Sequence, residues 1–135
     1  PEHSEENVLR LMAKPYSNAL EEFKMHFDRL TSVLKKKLYL TCYFIAAHPG
    51  CTLSDMHSLG KFINKVLKFN PEQVQIFTPS PLTWSTSMYY TETDPETGVP
   101  IFVEKDNRRK EKQKSILFRP ENRESKKLPR KRPSA

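Results

Sequence analysis

The sequence predicts an α/β fold in which parallel strands are separated by helices. Residues 38–47 form a short apolar run rich in aromatic and β-branched side chains, and residues 73–78 form a second such run. Between them, residues 53–67 repeat apolar side chains at the three- and four-residue steps of a helix. A strand, a helix and a second strand in this order form a βαβ unit, in which the strands lie parallel and the crossover is right-handed.

Two helices are predicted before the first strand. Ser4 is a good capping residue, and the carboxylates of Glu5 and Glu6 suit the positive end of a helix dipole. Pro15 ends this short helix, because the residue before a proline avoids helical backbone angles. In the following helix, apolar residues at steps of three and four lie on one face. These residues are Leu20, Phe23, Phe27, Leu30 and Leu34.

The first strand is predicted at residues 38–47, LYLTCYFIAA. The segment is too short and too rich in Tyr, Phe and Ile to favour a helix. Its continuous apolar character is typical of a strand that is buried on both faces. The segment 48–50, HPG, then predicts a sharp turn, since Pro fixes one φ angle and Gly permits a positive one. Thr52 and Asp55 come close to a capping box and mark the start of the next helix.

The carboxyl ends of parallel strands share one edge of the sheet, and folds of this class place their ligands there. Three segments are expected to meet at that edge, namely residues 1–4, 47–52 and 78–90. The third segment is predicted to be a long loop rich in aromatic residues, which is typical of a lid or a binding wall. A loop whose aromatic side chains simply pack on the fold is an equally good interpretation.

The chain divides into two parts by charge. Residues 1–103 hold 10 Lys and Arg against 11 Asp and Glu, whereas residues 104–135 hold 13 against 5, which accounts for the net charge of +7. We predict one domain over residues 1–103, with a short strand at 101–103, followed by a basic C-terminal extension at 104–135. The extension is expected to form a charged helix at about 107–118 and to be largely irregular and disordered beyond it.

The composition favours a cytoplasmic protein. Cys42 and Cys51 are the only cysteines, and they form neither a disulfide framework nor a C-x-x-C motif. No apolar run approaches the roughly 18 residues that cross a bilayer, so no membrane association is expected. The chain begins at Pro1 without an initiator Met, and we therefore expect it to be a fragment of a longer protein.

Three segments resemble the radical S-adenosylmethionine (radical SAM) enzymes. Residues 45–52, IAAHPGCT, resemble the segment that follows the fifth strand in that family, and residues 4–14 look like the helix that follows the fourth strand. Residues 74–86, VQIFTPSPLTWST, look like the sixth strand and its loop. The resemblance is closest to the YgiQ-type proteins, which also carry the strings PEH and MYYTG. In this chain MYYT is followed by Glu92 instead of Gly.

The resemblance implies a fold and an activity. The implied fold is the C-terminal half of a partial TIM-type barrel, made of parallel βα units. The intact parent is expected to use a [4Fe-4S] cluster to cleave S-adenosylmethionine, generating a 5′-deoxyadenosyl radical that acts on an unknown substrate. The C-x-x-x-C-x-x-C motif that binds the cluster is absent from this chain. The cluster is therefore expected on the missing N-terminal part, and the fragment alone should be inactive.

The resemblance also implies the residues of the site. Backbone of residues 45–49 and 77–79 is expected to border the adenine, with the first residues of the chain near the ribose or methionine. The cofactor-binding set is Glu2, Ser4, Ile45, Ala47, His48, Pro49, Phe77, Thr78 and Pro79. The substrate loop is expected to present Ser80, Trp84, Tyr89 and Tyr90. Cys51 departs from the wider superfamily, in which many members have Glu at this position.

Two other functions stay open on the residues alone. The basic residues between Lys105 and Arg132 suit a tail that binds the phosphate backbone of a nucleic acid, or simply a solvated tail. His3, His48 and Cys51 are all expected at the ligand edge, where they would supply three ligands for a small metal-dependent hydrolase. The radical SAM interpretation is preferred, and it makes the remainder of the parent chain the main expected partner.

Overall fold

A parallel two-stranded sheet lies at the centre of the computed structural model, which describes residues 2–16, 18–69 and 71–118. The fold is mixed α/β, as predicted. The elements in chain order are α1 (Glu6–Leu11), α2 (Ala19–Leu34), β1 (Tyr43–Ala46), α3 (Leu53–Phe62), β2 (Gln73–Ile76), α4 (Trp84–Thr91) and α5 (Asn107–Ile116). A π-helical turn over Ile63–Leu67 continues α3 towards β2.

The predicted βαβ unit is confirmed. β1 and β2 pair in parallel, with Phe44 opposite Val74 and four residues of each strand in register. Both strands are shorter than predicted, since β1 begins at Tyr43 and β2 ends at Ile76. On its other side, β1 receives the start of the chain, because the Ile45 N–H donates to the Glu2 carbonyl at 3.0 Å. The backbone groups of successive residues in a strand point to opposite sides of the strand. Ile45 therefore bonds to Glu2 on one side of β1, while the Ala46 carbonyl accepts the Phe77 N–H, just after β2, on the other.

The described residues cover one face of the sheet. Phe44 and Ala46 are fully buried on the side of the helices, whereas Tyr43 is 46% exposed and Ile45 is only partly buried. The prediction that residues 38–47 are buried on both faces is therefore wrong. The helices α3 and α5 pack together against a single face. Within the described residues, no helix is packed over the other face.

The hydrophobic core lies between the covered face of the sheet, α1, α3 and α5. Its buried members are Val8, Cys42, Phe44, Ala46, Cys51, Met56, Leu59, Ile63, Leu67, Val74, Ile116 and Leu117. Gly60 lies where α3 meets α5, and a Cβ there would be 3.7 Å from both Ile116 and Leu117. The residues after position 103 thus contribute to the same core as the sheet.

The apolar face of α2 is exposed. The predicted residues do share one face of a 16-residue helix, but α2 has no buried residue. Phe23, Leu30 and Leu34 are 53%, 59% and 55% exposed. Periodicity shows which side of a helix is apolar, whereas burial requires a partner surface. The described residues provide almost no such partner surface for α2. Its own residue Leu20 packs at the margin of the core.

Two helix starts differ in how well the sequence predicts them. Thr52 caps α3, with its hydroxyl accepting the Asp55 N–H and the Asp55 carboxylate accepting the Thr52 N–H, so the capping box is confirmed. At α1 the N-cap is Glu5 instead of Ser4. Pro15 does not end α1 either, because the chain already leaves the helix at Ala13, where φ is +54°.

The segment predicted as a long loop contains α4. Thr83 caps this helix by accepting the Thr86 N–H at 3.2 Å, and Thr86 in turn bonds to Ser80. The short strand predicted at 101–103 is not a strand, and an isolated bridge pairs Thr93 with Pro100 instead. α5 lies inside the range predicted for a charged helix. The predicted disordered tail lies outside the described residues.

Core and exposed leucines are expected to respond differently to truncation. Leu59→Ala removes a side chain that is 0% exposed and should lower the free energy of unfolding by about 2–5 kcal/mol. Leu30→Ala, on the exposed face of α2, should change it by less than about 0.5 kcal/mol. Urea unfolding followed by circular dichroism measures both. Equal losses for the two variants would contradict the described core.

Candidate functional site

The turn between β1 and α3 is the geometric centre of the carboxyl edge. The His48 carbonyl accepts the Cys51 N–H at 2.8 Å, and Gly50 has a φ of +84°. Pro at the second position and a positive-φ Gly at the third define a type II turn. The positive φ favours glycine here, and a Cβ on Gly50 would also lie 2.1 Å from the end of the Leu11 side chain, which would have to shift.

The side chain of Gln113 holds this turn from inside. Gln113 lies on α5, is 2% exposed, and its Oε1 accepts the Ala47 N–H at 3.0 Å. Its Nε2 donates to the Cys51 carbonyl at 3.3 Å. Ala47 is held at a φ of +57°, a left-handed angle that a non-glycine residue adopts at a cost. One amide from the C-terminal helix therefore bonds to both ends of the turn.

His3 and Cys51 meet beneath the turn. The Nδ1 atom of His3 accepts the Glu5 N–H at 3.1 Å, which leaves the proton of the neutral ring on Nε2, 3.6 Å from the Cys51 sulfur. Burial lowers the pKa of His3 to about 4, against a partial opposing effect of Asp55. Burial also raises the pKa of the Cys51 thiol to about 12. The pair is thus a neutral contact that joins the start of the chain to the turn.

His48 connects the turn to α4. Its Nδ1 lies 2.8 Å from the Pro49 carbonyl, and since a carbonyl only accepts, Nδ1 carries the proton. Its Nε2 then accepts from the Ser85 hydroxyl at 2.7 Å. Burial lowers the pKa of His48, with the Pro49 bond opposing the shift. The ring is 3% exposed and both of its nitrogens are bonded within the protein.

A row of aromatic rings leads away from His48. Phe77 meets the His48 ring edge to face at 5.2 Å between centroids, and Tyr89 lies 5.8 Å further on. Tyr90 contacts Tyr89 at 5.3 Å. The Tyr89 hydroxyl accepts from Lys110 on α5 at 3.0 Å. The aromatic residues after β2 therefore pack against the edge in part, and only Trp84 and Tyr90 are mainly exposed.

The predicted cofactor-binding residues fall into three groups. Ile45, Phe77 and Thr78 line one cavity of about 320 Å³ on the open face of the sheet, together with Ser80 from the predicted substrate loop. Its volume is at the lower end of the range for small-molecule sites. The structure thus brings these four residues to one surface. Pro79, the residue after Thr78, is partly buried but does not line that cavity.

Glu2 and Ser4 line a different cavity. It has a volume of about 540 Å³ and lies between the start of the chain and α2. Glu2 forms an ion pair with Lys14 at 3.2 Å, and the Ser4 hydroxyl donates to Glu5 at 3.2 Å. The structure therefore separates these two side chains from the cavity that Ile45 lines, although the Glu2 backbone is bonded to β1.

Ala47, His48 and Pro49 are buried behind the edge. The Ala47 amide is occupied by Gln113 and the Pro49 carbonyl by the His48 ring. These residues shape the turn from within, while Ile45 and Phe77 present surface to the cavity. The His48 side chain could contact a ligand directly only if its hydrogen bond to the Ser85 hydroxyl were broken.

The metal-dependent hydrolase receives no support from this geometry. His3 and Cys51 are in contact, but metal ligation requires a thiolate, and burial favours the neutral thiol. Both nitrogens of His48 are already bonded. Within the described ranges, no group of three or more His, Cys, Asp or Glu side chains is arranged to hold a metal ion.

In the described part of the extension, three of the six basic side chains form ion pairs or hydrogen bonds with other side chains of the fold. Lys105 pairs with Glu92, and Arg109 pairs with Glu104 at 3.2 Å. Lys110 is buried beneath Tyr89. Most of the basic residues on which the nucleic-acid hypothesis rests lie outside the described residues, so that hypothesis stays a prediction. Among the helices that the structure describes, none is long and apolar enough to cross a membrane.

Two important residues were missed from the sequence. Gln113 and Lys110 lie in a strongly charged helix, NRRKEKQKSI, where they look like ordinary surface residues. The available signal exists for Gln113, which lies three residues before Ile116 and is therefore its neighbour on the helix surface. No such spacing singles out Lys110 among the lysines of the same helix. Both side chains are buried, as is Ile116.

Comparisons with known proteins point to one group of relatives. Residues 72–125 match the family model of a domain of unknown function, DUF3362. A UPF0313 protein of Fusobacterium nucleatum is 54% identical over 117 residues, which are 87% of this chain and 21% of that protein. A UPF0313 protein of Thermotoga maritima is 42% identical over 125 residues, 92% of this chain and 22% of the relative.

A third relative gives the same picture. A UPF0313 protein of Clostridium perfringens is 38% identical over 117 residues, which cover 87% of this chain and 18% of the relative. The chain thus spans about a fifth of the length of the curated relatives that it matches. No solved structure gives a significant match.

Removing the Gln113 amide is expected to destabilise the fold. Gln113→Leu leaves the Ala47 N–H and the Cys51 carbonyl buried without partners, and each unsatisfied group costs about 1–3 kcal/mol. The free energy of unfolding should therefore fall by about 2–6 kcal/mol. Lys112→Ala, an exposed neighbour on α5, should stay within about 0.5 kcal/mol of wild type. Urea unfolding measures both, and a stable Gln113→Leu protein would contradict the proposed role of the amide.

The fold is expected to lose stability in mild acid. Because the pKa of His3 is about 4 in the folded protein and 6.5 unfolded, the unfolded chain binds the proton first. The contribution of neutral His3 to the free energy of unfolding is therefore fully present above about pH 6.5 and is lost as the pH falls towards 4. The total loss is on the order of 3 kcal/mol. Burial of His48 acts in the same direction.

The matched variants are His3→Asn and His57→Asn. Asn at position 3 keeps an acceptor for the Glu5 N–H but cannot be protonated, so its unfolding free energy should depend less on pH. His57 is exposed on α3, and its replacement should leave the pH dependence unchanged. Unfolding curves between about pH 7 and pH 4 test this. An unaltered slope in His3→Asn would show that His3 is not the titrating group.

Proposed function

We propose that this chain forms the C-terminal half of a radical SAM partial barrel and supplies one wall of the cofactor site. The observation that carries the proposal is a parallel βα unit whose described helices pack on one face of the sheet. Its open face carries a cavity at the carboxyl edge. Barrels have this arrangement, with helices outside and ligands at the carboxyl end of the strands.

The residues of the cavity fit an adenosyl group in part. Ile45 and Phe77 offer apolar surface, and Thr78 and Ser80 bring hydroxyl groups to the strand end. A flat, polar base is well matched by such a mixture. The backbone N–H and carbonyl of Ser80 are already bonded to Thr83 and Thr86. When bound, S-adenosylmethionine supplies the radical chemistry, and the protein contributes binding and orientation. In this proposal Gln113 and His48 act indirectly, because they hold the turn after β1 in place beside the cavity that Ile45 and Phe77 line.

This chain does not fit the iron–sulfur cluster. Cys42 and Cys51 are both buried, and desolvation raises the pKa of each thiol, whereas cluster ligands are thiolates. We therefore assign cluster binding to the remaining part of a longer protein. The same part would cover the open face of the sheet and the apolar face of α2. The free thiols of both cysteines agree with a cytoplasmic location.

The test uses the longer protein that contains this chain, reconstituted without oxygen with iron and sulfide. In the presence of dithionite we expect it to convert S-adenosylmethionine to 5′-deoxyadenosine, while this chain alone forms none. Ile45→Glu places a carboxylate in the proposed adenine wall and should weaken cofactor binding at least about tenfold. Lys61→Glu, on the exposed side of α3, should bind as wild type.

Two outcomes would refute the proposal. One is a reconstituted longer protein that carries a cluster but yields no 5′-deoxyadenosine. The other is an Ile45→Glu protein that binds S-adenosylmethionine as tightly as wild type in equilibrium dialysis, because the open face would then not be the cofactor wall.

A further inference from the structure

Lys110 is a buried cation that the proposed function leaves unused. Its residue is 7% exposed, and its ammonium donates to the Tyr89 hydroxyl at 3.0 Å. The same ammonium lies 4.9 Å from the centre of the Tyr89 ring. In the part of the chain that the structure describes, no carboxylate is paired with it. A buried charge without a counter-charge is costly and needs a reason.

The acidic side chains of this region are already engaged. Glu104 is 6% exposed, and its carboxylate pairs with Arg109 and accepts the Asp106 N–H at 3.0 Å. Glu92 pairs with Lys105, whose ammonium also faces the Tyr89 ring at 5.8 Å. Two cations thus converge on Tyr89, and no carboxylate among the described residues forms an ion pair with one of them, Lys110.

Tyr89 is oriented to donate. Its hydroxyl oxygen accepts from Lys110, so the hydroxyl proton is free for an acceptor outside the pair. The ammonium has two further N–H donors beyond the one that reaches Tyr89. The Tyr89 ring also contacts Phe77, which lines the cavity on the open face of the sheet. The pair is therefore close to the carboxyl edge.

We propose that Lys110 and Tyr89 form a binding site for an oxyanion, a carboxylate or phosphate group. The ammonium would supply charge and donors, and the Tyr89 hydroxyl a further donor, while the bound anion supplies the missing counter-charge. Lys110 would then be retained for binding at the expense of stability. The proposal rests on contacts within this chain and is independent of the S-adenosylmethionine assignment.

The experiment measures urea unfolding of the chain with increasing inorganic phosphate, and separately with acetate, at constant ionic strength. A ligand that binds only the folded state raises the unfolding midpoint. We expect at least one of the two anions to stabilise wild type with a saturable dependence. Lys110→Met keeps the apolar stem and should have a higher midpoint than wild type without anion, because it removes the uncompensated charge. Its apparent affinity for the anion should be at least about tenfold weaker.

The controls separate this site from the general basic character of the chain. Lys112→Met removes an equal charge from an exposed position on the same helix and should respond to anion as wild type. Lys110→Arg keeps the charge and should keep the response, and Tyr89→Phe should weaken it. Equal anion stabilisation of Lys110→Met and wild type would overturn the proposal. So would a Lys110→Met protein that is less stable than wild type without anion, or the absence of saturable stabilisation by either anion.

The oxyanion has two possible sources, a free small molecule or an Asp or Glu side chain of a longer protein. The same titration of the longer protein distinguishes them. If the site takes a small molecule, the longer protein responds to anion as this chain does. If a protein carboxylate fills the site, the response seen in this chain disappears in the longer protein, and Lys110→Met destabilises it.

Discussion

The buried amide of Gln113 is the interaction on which the carboxyl edge depends. The turn after β1 combines a left-handed residue, Ala47, with a type II turn that leaves backbone groups facing inward. A buried N–H or carbonyl without a partner destabilises a fold by more than an ordinary hydrogen bond stabilises it. Gln113 satisfies one group of each kind with a single side chain. Because Gln113 lies on α5, the shape of the turn depends on how this C-terminal helix packs.

Several contacts then extend from this turn to the segments around it. His3 reaches Cys51 from the start of the chain, and His48 reaches Ser85 at the beginning of α4. Both histidines are buried and neutral, so they act as hydrogen-bonding spacers instead of proton carriers. The segments that border the edge are thereby held in place, while Ile45, Phe77 and the strand ends line the cavity on the open face of the sheet.

Local features of the fold could be predicted from the sequence, and long-range ones could not. The βαβ order, the capping box of Thr52 and the Pro-Gly turn depend on residues close in the chain, and all three are observed. α4 was missed because its cap, Thr83, lies among Ser, Thr and Pro residues that favour a loop. The apolar face of α2 was predicted, but whether a face is buried depends on a partner surface that periodicity does not encode.

The residues of the edge illustrate the same limit. Lys110 and Lys112 are equivalent in sequence context, and only the packing of α5 buries one and exposes the other. Gln113 is separated from Ala47 by 66 residues, so no local pattern relates them. The resemblance to a family predicted one site that contains Ile45 and Phe77 together with Glu2 and Ser4, whereas the two pairs line separate cavities.

The distance along the chain between Ala47 and Gln113 also sets an order of events during synthesis. The ribosome adds 66 residues from the one after Ala47 up to and including Gln113, which takes roughly 3 to 13 seconds. Until Gln113 is made, the Ala47 N–H and the Cys51 carbonyl lack their buried partner, so the turn must remain hydrated or mobile. The nascent chain therefore completes the carboxyl edge of its sheet last, after β1, α3 and β2 have all been synthesised.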